Sequence, residues 1–134
     1  MYIIDTNIFL EIFLHRGKSS EAKKFLSQTP FSHIYVTDVS LYTIGLLLFK
    51  NNGHQAYLHL LNDLFQKGEV WRIQLVMENM QKVVEVSQKY ALSYNDAYQY
   101  AAAEFYNLIL VSYNDVFDKT ERGRKTPAEL LKEE

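Results

Sequence analysis

The alternation of short apolar runs with longer helical segments most constrains how this chain can fold. Short, mainly apolar runs occupy positions 1–4, 33–37, 70–75 and 108–111. Segments with helical spacing of apolar residues lie at 8–14, 19–26, 39–49, 57–65, 80–90, 93–107 and 127–132. Strands that alternate with helices in this way predict an α/β fold. We expect a parallel α/β sandwich with right-handed crossovers.

Two of the short runs indicate their place in the sheet. The run at 108–111 is apolar at every position, as in the middle of a parallel sheet. The run at 70–75 alternates between apolar and polar residues and suits an edge strand. The helical segment at 39–49 is apolar on more than one face, and Gly45 within it predicts close packing against a neighbour.

Length and composition indicate one folded domain. The 134 residues, 48% of them hydrophobic, suffice for one core, so we expect a single domain over 1–134. The chain has no cysteine, which fits a reducing compartment. It has no apolar stretch of about eighteen residues and no leading Lys or Arg, so neither a membrane span nor a signal peptide is expected. We therefore expect a cytoplasmic protein.

The formal net charge of −2 argues against a module that binds nucleic acid through its overall charge. Any nucleic acid must be held by local basic patches or through a metal ion. Arg122, Arg124 and Lys125 follow the last predicted strand. They are either a solvated tail or contacts to a phosphate backbone.

Acidic residues follow the predicted strands at the point where each strand ends. Asp5 follows the first strand, Asp38 the second, and the Asn114–Asp115 pair the last. Asp96 opens the helix before the last strand, and crossover helices run antiparallel to the strands. All four acids are therefore predicted to converge at the carboxyl edge of the sheet, where ligands bind in such folds.

Clustered carboxylates repel one another unless a proton or a cation lies between them. Mg²⁺ or Mn²⁺ is the cation that best suits oxygen ligands, and it activates water against a phosphodiester. The absence of cysteine and the scattered positions of the four histidines disfavour zinc.

Each of these positions also has a purely structural explanation. Asp5 and Asp38 are each suited to cap the helix that follows. Asp96 is suited to a capping box with Ser93. Asn114 and Asp115 resemble an ordinary Asx turn. The residues alone leave both explanations open.

Three motifs make the chain resemble the PIN-domain family of metal-dependent nucleases, which includes toxins of prokaryotic toxin–antitoxin operons. They are Ile-Ile-Asp-Thr-Asn-Ile-Phe-Leu at 3–10, Leu-Ser-Tyr-Asn-Asp-Ala at 92–97, and Leu-Val-Ser at 110–112 leading into Asn114 and Phe117. The resemblance implies a three-layer sandwich with a mostly parallel sheet. It also implies one or two Mg²⁺ or Mn²⁺ ions and endoribonuclease activity.

The resemblance also assigns roles to residues. The acid after the first strand falls on Asp5 and the acid that opens the penultimate long helix on Asp96. Thr6 and Asn7 match the polar pair that supports the first acid, and Ser112 matches the small hydroxyl residue after the last strand.

Two family positions differ in this chain. The glutamate usual in the helix after the second strand is replaced by Thr43, and Asp38 at the start of that helix is its candidate substitute. Of the two acids usual after the last strand, the positions here hold Asn114 and Val116, with Asp115 one residue out of step. Asn114 still offers a neutral oxygen to a metal.

The leading hypothesis is a metal-dependent ribonuclease in which Asp5 and Asp96 bind the ion and Asp38 or Asp115 assists. The alternative is a catalytically weakened PIN module that binds RNA or a protein without cleaving. The helix at 39–49 is a candidate surface for a homodimer or for an antitoxin. A third hypothesis, phosphoryl transfer to a strand-end aspartate, expects a second acid where Asn7 stands and a lysine nearer the sheet than Lys119.

Overall fold

Four short parallel strands form the centre of the computed structural model, which describes residues 1–133. The strands are β1 (Tyr2–Ile4), β2 (Ile34–Thr37), β3 (Trp71–Ile73) and β4 (Ile109–Val111). They pair in the order β3-β2-β1-β4, and every pairing is parallel. The predicted parallel sheet is thus confirmed, with β3 at one edge as expected. The middle position expected for the run at 108–111 is wrong, because β4 lies at the other end of the strand order and is joined on its outer side by a single bridge from Val111 to Lys125. Leu110 and Val111 are apolar because both faces of β4 are buried, not because strands flank it on both sides.

Helices cover both faces of the sheet. They are α1 (Thr6–Phe13), α2 (Ser19–Gln28), α3 (Asp38–Lys50), α4 (His54–Leu61), α5 (Met80–Tyr90), α6 (Tyr94–Tyr106) and α7 (Pro127–Lys132). Short 3₁₀ turns precede β2 and α5 and follow β4, and a π-helical segment, Asn62–Lys67, extends α4. None of the helices within residues 1–133 is long and apolar enough to cross a membrane.

Successive side chains of β1 and β4 enter two separate cores. Ile3 of β1 and Leu110 of β4 pack with α5 and α6, whereas Ile4 and Val111 pack with α1, α2, α3, α4 and α7. This alternation follows from the pleat of a strand, which turns neighbouring side chains to opposite faces. The three-layer α/β/α arrangement is therefore set by the apolar runs themselves.

Element boundaries differ from the expected ones by a few residues. The run at 33–37 begins as a strand only at Ile34, because Phe31–His33 forms a 3₁₀ turn. The single helix expected at 57–65 changes to π-helical geometry after Leu61. The close packing expected at Gly45 is confirmed, since a Cβ there would lie 3.1 Å from Cζ of Tyr57.

The turn between α5 and α6 brings the start of α6 to the carboxyl edge of the sheet. Ala91 ends α5 in the left-handed conformation, at φ 54° and ψ 48°. Ser93 then caps α6, and its hydroxyl accepts the Asp96 N–H at 3.2 Å. A left-handed residue with a Cβ is strained, so this turn holds Asp96 against a local energetic cost.

Replacing Ala91 with glycine should relieve that strain. We expect Ala91→Gly to raise the free energy of unfolding by about 0.5–1 kcal/mol, because glycine adopts positive φ without the Cβ clash. Ala56→Gly, within α4, is the matched control and should lower it by about 1 kcal/mol. Urea denaturation measures both, and a destabilised Ala91→Gly variant would contradict the strain at this turn.

Candidate functional site

Asp5 lies at the carboxyl end of the central strand β1 and is 5% exposed. Its Oδ1 accepts the Thr6 N–H at 2.8 Å. Its Oδ2 accepts the Ser112 hydroxyl at 2.7 Å and the Asn7 amide at 3.3 Å. These three partners are all neutral, so the Asp5 carboxylate is buried without a cationic partner among its hydrogen bonds.

Ser112 and Asn114 connect Asp5 to Asp96. The Ser112 hydroxyl, which donates to Asp5, accepts the Asn114 N–H at 2.9 Å and the Asn7 amide at 3.2 Å. The Asn114 side-chain amide in turn donates to Oδ2 of Asp96 at 3.3 Å. Two acids that are 91 positions apart in the sequence (96 − 5) thus share one hydrogen-bonded network at the sheet edge.

Both acids of this network hold their protons more tightly than usual. Burial raises the pKa of Asp5 from its ordinary 3.8 to about 6; the Ser112 hydrogen bond opposes the rise and the negative charge of Asp96 adds to it. Partial burial also raises the pKa of Asp96, against hydrogen bonds from Ser93 and Asn114. A cation between them would reverse both shifts.

Asp38 points to a different set of partners. It opens α3, where the Thr37 hydroxyl provides the N-cap, so the expected capping role of Asp38 falls instead on its neighbour. Oδ1 of Asp38 accepts the Val39 N–H at 2.9 Å and the Tyr98 hydroxyl at 2.8 Å. Burial raises the pKa of Tyr98 to about 12, so this hydroxyl remains a protonated donor.

The expected convergence of all four acids is wrong. Within residues 1–133 no three His, Cys, Asp or Glu side chains are grouped closely enough to hold a metal ion. Asp115 is exposed at the start of the 3₁₀ turn after β4, and Asp38 is engaged by Tyr98. The physical reason is side-chain direction, because a shared edge of the sheet does not fix where each rotamer points.

The structural explanations hold for part of the site. Asp5 caps α1 through Thr6 N–H. The Ser93 hydroxyl accepts the Asp96 N–H, which is one half of the expected capping box. The other half would need the Asp96 carboxylate to accept the Ser93 N–H, but this carboxylate accepts the Asn114 amide. Oδ1 of Asn114 accepts the Val116 N–H at 3.1 Å, as an Asx turn requires.

Thr43 belongs to a neutral layer between α3 and α6. Its hydroxyl donates to the Val39 carbonyl at 2.9 Å and accepts the Asn95 amide at 3.2 Å. Nearby, the Thr6 and Ser40 hydroxyls lie 2.7 Å apart. The position expected to carry a family glutamate therefore contributes hydrogen bonds between helices and no charge.

The basic segment at 122–125 is tied to the fold. Lys125 pairs with β4 through N–H to the Leu110 carbonyl at 2.8 Å and through its carbonyl to Ser112 N–H at 3.0 Å. Arg124 donates to both carboxylate oxygens of Asp118 at 3.0 Å and to the Ser112 carbonyl at 3.1 Å. This segment is not the solvated tail that its composition suggests.

Arg122 and Lys125 have weaker side-chain engagements. Arg122 is exposed and donates to Asn107 at 3.2 Å and to the Leu108 carbonyl at 3.3 Å. Nζ of Lys125 lies 3.6 Å from Glu133. Exposed polar pairs of this kind contribute little to folding stability. Both side chains can therefore leave these partners and bind an anionic one.

The family model of the PIN domain matches residues 2–123, which is most of the chain and includes both linked acids. The chain belongs to the PIN domain family. The match ends before Arg124, so the contact from Arg124 to Ser112 comes from outside the matched PIN domain. No curated protein sequence matches the chain.

Solved structures share this PIN fold at low sequence identity. A toxin–antitoxin complex from Klebsiella pneumoniae is 23% identical, with a TM-score of 0.76 over 95% of this chain and 98% of the other. VapC20 from Mycobacterium tuberculosis is 15% identical, with a TM-score of 0.71 over 84% and 88%. FitAcB from Neisseria gonorrhoeae is 15% identical, with a TM-score of 0.72 over 96% and 99%.

Three residues of this PIN domain were not anticipated from the sequence. Tyr98 fixes Asp38, Asn95 pairs with Thr43, and Asp118 holds Arg124. Asn95 and Tyr98 lie on one side of α6, three positions apart, which is the spacing of neighbours on a helix. Polar groups three positions apart in an otherwise buried helix were the sequence signal that could have predicted these contacts.

The raised pKa of Asp5 leads to a prediction about stability and pH. Because the folded pKa lies above the unfolded one, ionised Asp5 destabilises the fold above about pH 6, and this effect disappears below about pH 4. Asp5→Asn should therefore raise the free energy of unfolding by roughly 2–3 kcal/mol at pH 7.5 in chelator. The gain should vanish near pH 4.

Urea denaturation at the two pH values measures this difference. Asp63→Asn is the matched control, because Asp63 is exposed in a surface pair with Lys67. That control should change stability by less than about 1 kcal/mol at either pH. An Asp5→Asn variant that is equally stable to wild type at pH 7.5 would show that the carboxylate is not destabilised by burial.

Proposed function

We propose that this protein is a divalent-metal-dependent endoribonuclease and the toxin of a toxin–antitoxin pair. The observation that carries the proposal is the buried Asp5 carboxylate, held only by neutral donors and linked through Ser112 and Asn114 to Asp96. Family membership supports the proposal. So do the related folds, one in a toxin–antitoxin complex and one described as a toxin that cleaves the sarcin–ricin loop. They favour a nuclease over phosphoryl transfer to Asp5.

The donor set fits Mg²⁺ or Mn²⁺. Such ions take one or two carboxylates from the protein and keep water or substrate oxygens at the other positions. Asp5 and Asp96 are the ligands in this proposal. Asn114 is a further candidate through the second lone pair of its amide oxygen, since the first accepts Val116 N–H. Asp38 and Asp115 remain candidate assisting acids.

When bound, the ion supplies Lewis acidity that activates water and offsets charge on the phosphate. The protein contributes orientation. Thr6 N–H, Asn7 and Ser112 fix both oxygens of Asp5, and Asn114 fixes one oxygen of Asp96. Carboxylates that are held in place in this way need little rearrangement during the reaction.

The partners that we propose are RNA, an antitoxin protein and a second copy of the chain, in the cytoplasm. Arg122 and Lys125 are the candidate phosphate contacts. The exposed apolar residues Leu46 and Phe49 of α3 line one apolar depression and provide a face that a protein partner would cover.

Removing either acid should abolish cleavage. We expect Asp5→Asn and Asp96→Asn each to lower Mn²⁺-stimulated cleavage of RNA at least a hundredfold, because each loses a charged ligand. Circular dichroism should be unchanged. Asp63→Asn, a surface variant far along the chain from both acids, should cleave like wild type. Either acid variant with wild-type activity would refute this assignment.

The alternative, a PIN module that no longer cleaves, is favoured by one observation: residues 1–133 contain no group of three potential metal ligands. Calorimetric titration with Mn²⁺ separates the two. If the protein is a nuclease, the wild type should bind Mn²⁺, and the Asp5→Asn and Asp96→Asn variants should bind it more weakly. Absence of binding in the wild type, together with absence of cleavage, would establish the alternative.

Arg124 should act on the site through Ser112. Its side chain is 15% exposed and donates to Asp118 and Ser112. We expect Arg124→Gln to lower kcat about tenfold with little change in KM. Arg122→Gln should instead raise KM and reduce the salt dependence of RNA binding by about one charge.

Asp118→Asn distinguishes two possible roles of Arg124, positioning Ser112 and contacting phosphate, because the two roles predict opposite effects on activity. If Arg124 positions Ser112, releasing it from Asp118 should lower kcat. If Arg124 contacts phosphate, the same change frees a cation and should strengthen RNA binding. Steady-state kinetics at two salt concentrations measures both, and tighter binding with unchanged kcat would refute the positioning role.

A further inference from the structure

A groove of about 670 Å³ opens between the first turns of α3 and α6. Its size is within the range of pockets that bind small ligands. Its lining includes Asp38, Val39, Tyr42 and Thr43 from α3 and Ser93, Tyr94 and Asn95 from the start of α6. Asp96 is the next residue after Asn95, and Asp38 leaves the strand next to the one that Asp5 leaves. The groove thus opens at the same carboxyl edge of the sheet as the proposed catalytic site.

The Asp38 carboxylate is fixed at the wall of this groove. Oδ1 accepts from Val39 N–H and from the hydroxyl of Tyr98, which is 2% exposed and itself accepts Leu75 N–H at 2.7 Å. Within residues 1–133, Oδ2 has no such partner and is the oxygen that remains for a ligand. A fixed carboxylate oxygen accepts a hydrogen bond and repels a phosphate.

Two tyrosines provide apolar surface at the same groove. Tyr42 on α3 is 68% exposed and Tyr94 on α6 is 60% exposed. Exposed aromatic rings in a groove next to a nuclease site are suited to stack on unpaired bases. The combination of aromatic surface and a negative acceptor therefore favours a base over the sugar–phosphate backbone.

We propose that this groove binds one unpaired nucleobase of the RNA substrate and selects a base with an exocyclic amino group. Tyr42 and Tyr94 contact the faces of the base, and Oδ2 of Asp38 accepts the amino N–H. At the ring position where cytosine has its amino group, uracil has a carbonyl oxygen, which the carboxylate repels. The inference rests on the proposed ribonuclease function and assigns Asp38 to substrate selection.

Cytosine and uracil provide the sharpest test, because they differ by an amino group and a carbonyl at one ring position. Amide chemical shifts are recorded by NMR while cytidine or uridine is titrated into the metal-free protein. Cytidine should shift the amides of Tyr42, Tyr94 and Asn95 at concentrations about tenfold lower than uridine. This readout requires no cleavage.

Asp38→Asn should invert the preference. The two donors at Oδ1, Val39 N–H and Tyr98, keep the amide oxygen on their side, so the amide nitrogen faces the groove as a donor. The variant should then favour uridine over cytidine. In cleavage of oligoribonucleotides that carry cytosine or uracil beside the cut bond, kcat/KM should change in the same direction.

The tyrosine variants separate stacking from folding. Tyr42→Ala and Tyr94→Ala should each weaken cytidine binding about tenfold, whereas Tyr42→Phe and Tyr94→Phe should retain it. Phe105→Ala removes an equally exposed ring at the far end of α6 and should leave base preference unchanged.

Several outcomes overturn the inference. Equal shifts with the two nucleosides, or none, exclude a base-selective groove. Amide shifts with N-acetylarginine amide but not with nucleosides would show that the groove binds a cationic side chain of a protein partner and not a base. If no RNA is cleaved by the wild type, the proposed function fails, while the nucleoside titration still decides the groove.

Discussion

The burial of one carboxylate at the end of the central strand is the constraint on which the rest of the site depends. β1 lies between β2 and β4, so Asp5 emerges where protein surrounds it. Its ionisation requires hydrogen-bond donors; Thr6 and Asn7 provide them from the next two residues, and Ser112 from the far end of the chain. Neutral donors reduce the cost of burial without cancelling it, which is why the pKa of Asp5 stays raised and the site favours a cation.

The dependence extends to the end of the chain through Ser112. The serine is reached from three sides: Asp5 and Asn7 at its hydroxyl, Lys125 at its N–H, and Arg124 at its carbonyl. Segment 122–125 therefore stabilises β4 where the hydrogen-bonded network of Asp5 and Asp96 begins. A basic sequence that suggests nucleic-acid contact contributes instead, in part, to the internal order of the site.

Periodicity was sufficient to predict the fold because strands and helices differ in their apolar spacing. The alternating run at 70–75 became an edge strand, as predicted, but the completely apolar run at 108–111 became the strand at the opposite end of the sheet and not an inner one. Apolar residues report burial of both faces of a strand and do not report how many strands flank it. Segment 122–125 was not predictable as part of the sheet, since one bridged residue leaves no period to detect. The π-helical extension of α4 likewise depends on local packing.

Site prediction succeeded for position and failed for direction. Asp5, Asp38 and Asp96 all lie at the carboxyl edge, as topology requires. The Asp38 carboxylate, however, accepts a hydrogen bond from Tyr98, which is 60 positions away in the sequence. Linear spacing contains no information about that contact. The hydrogen bond from Arg124 to the Ser112 carbonyl was unpredictable for the same reason. Arg124 also lies just beyond residues 2–123, which the family model matches.

The substitution of neutral for acidic groups also changes the charge balance of the proposed reaction. Two ionised carboxylates match the charge of one divalent ion, so a phosphate would approach a nearly neutral centre. A third and a fourth acid would leave excess negative charge that a second ion has to offset. Thr43, which bonds Asn95 and the Val39 carbonyl, removes charge while keeping α3 and α6 joined. The acid set of this chain therefore suits a single ion in the proposed reaction, which leaves Asp38 available for the proposed contact with a base.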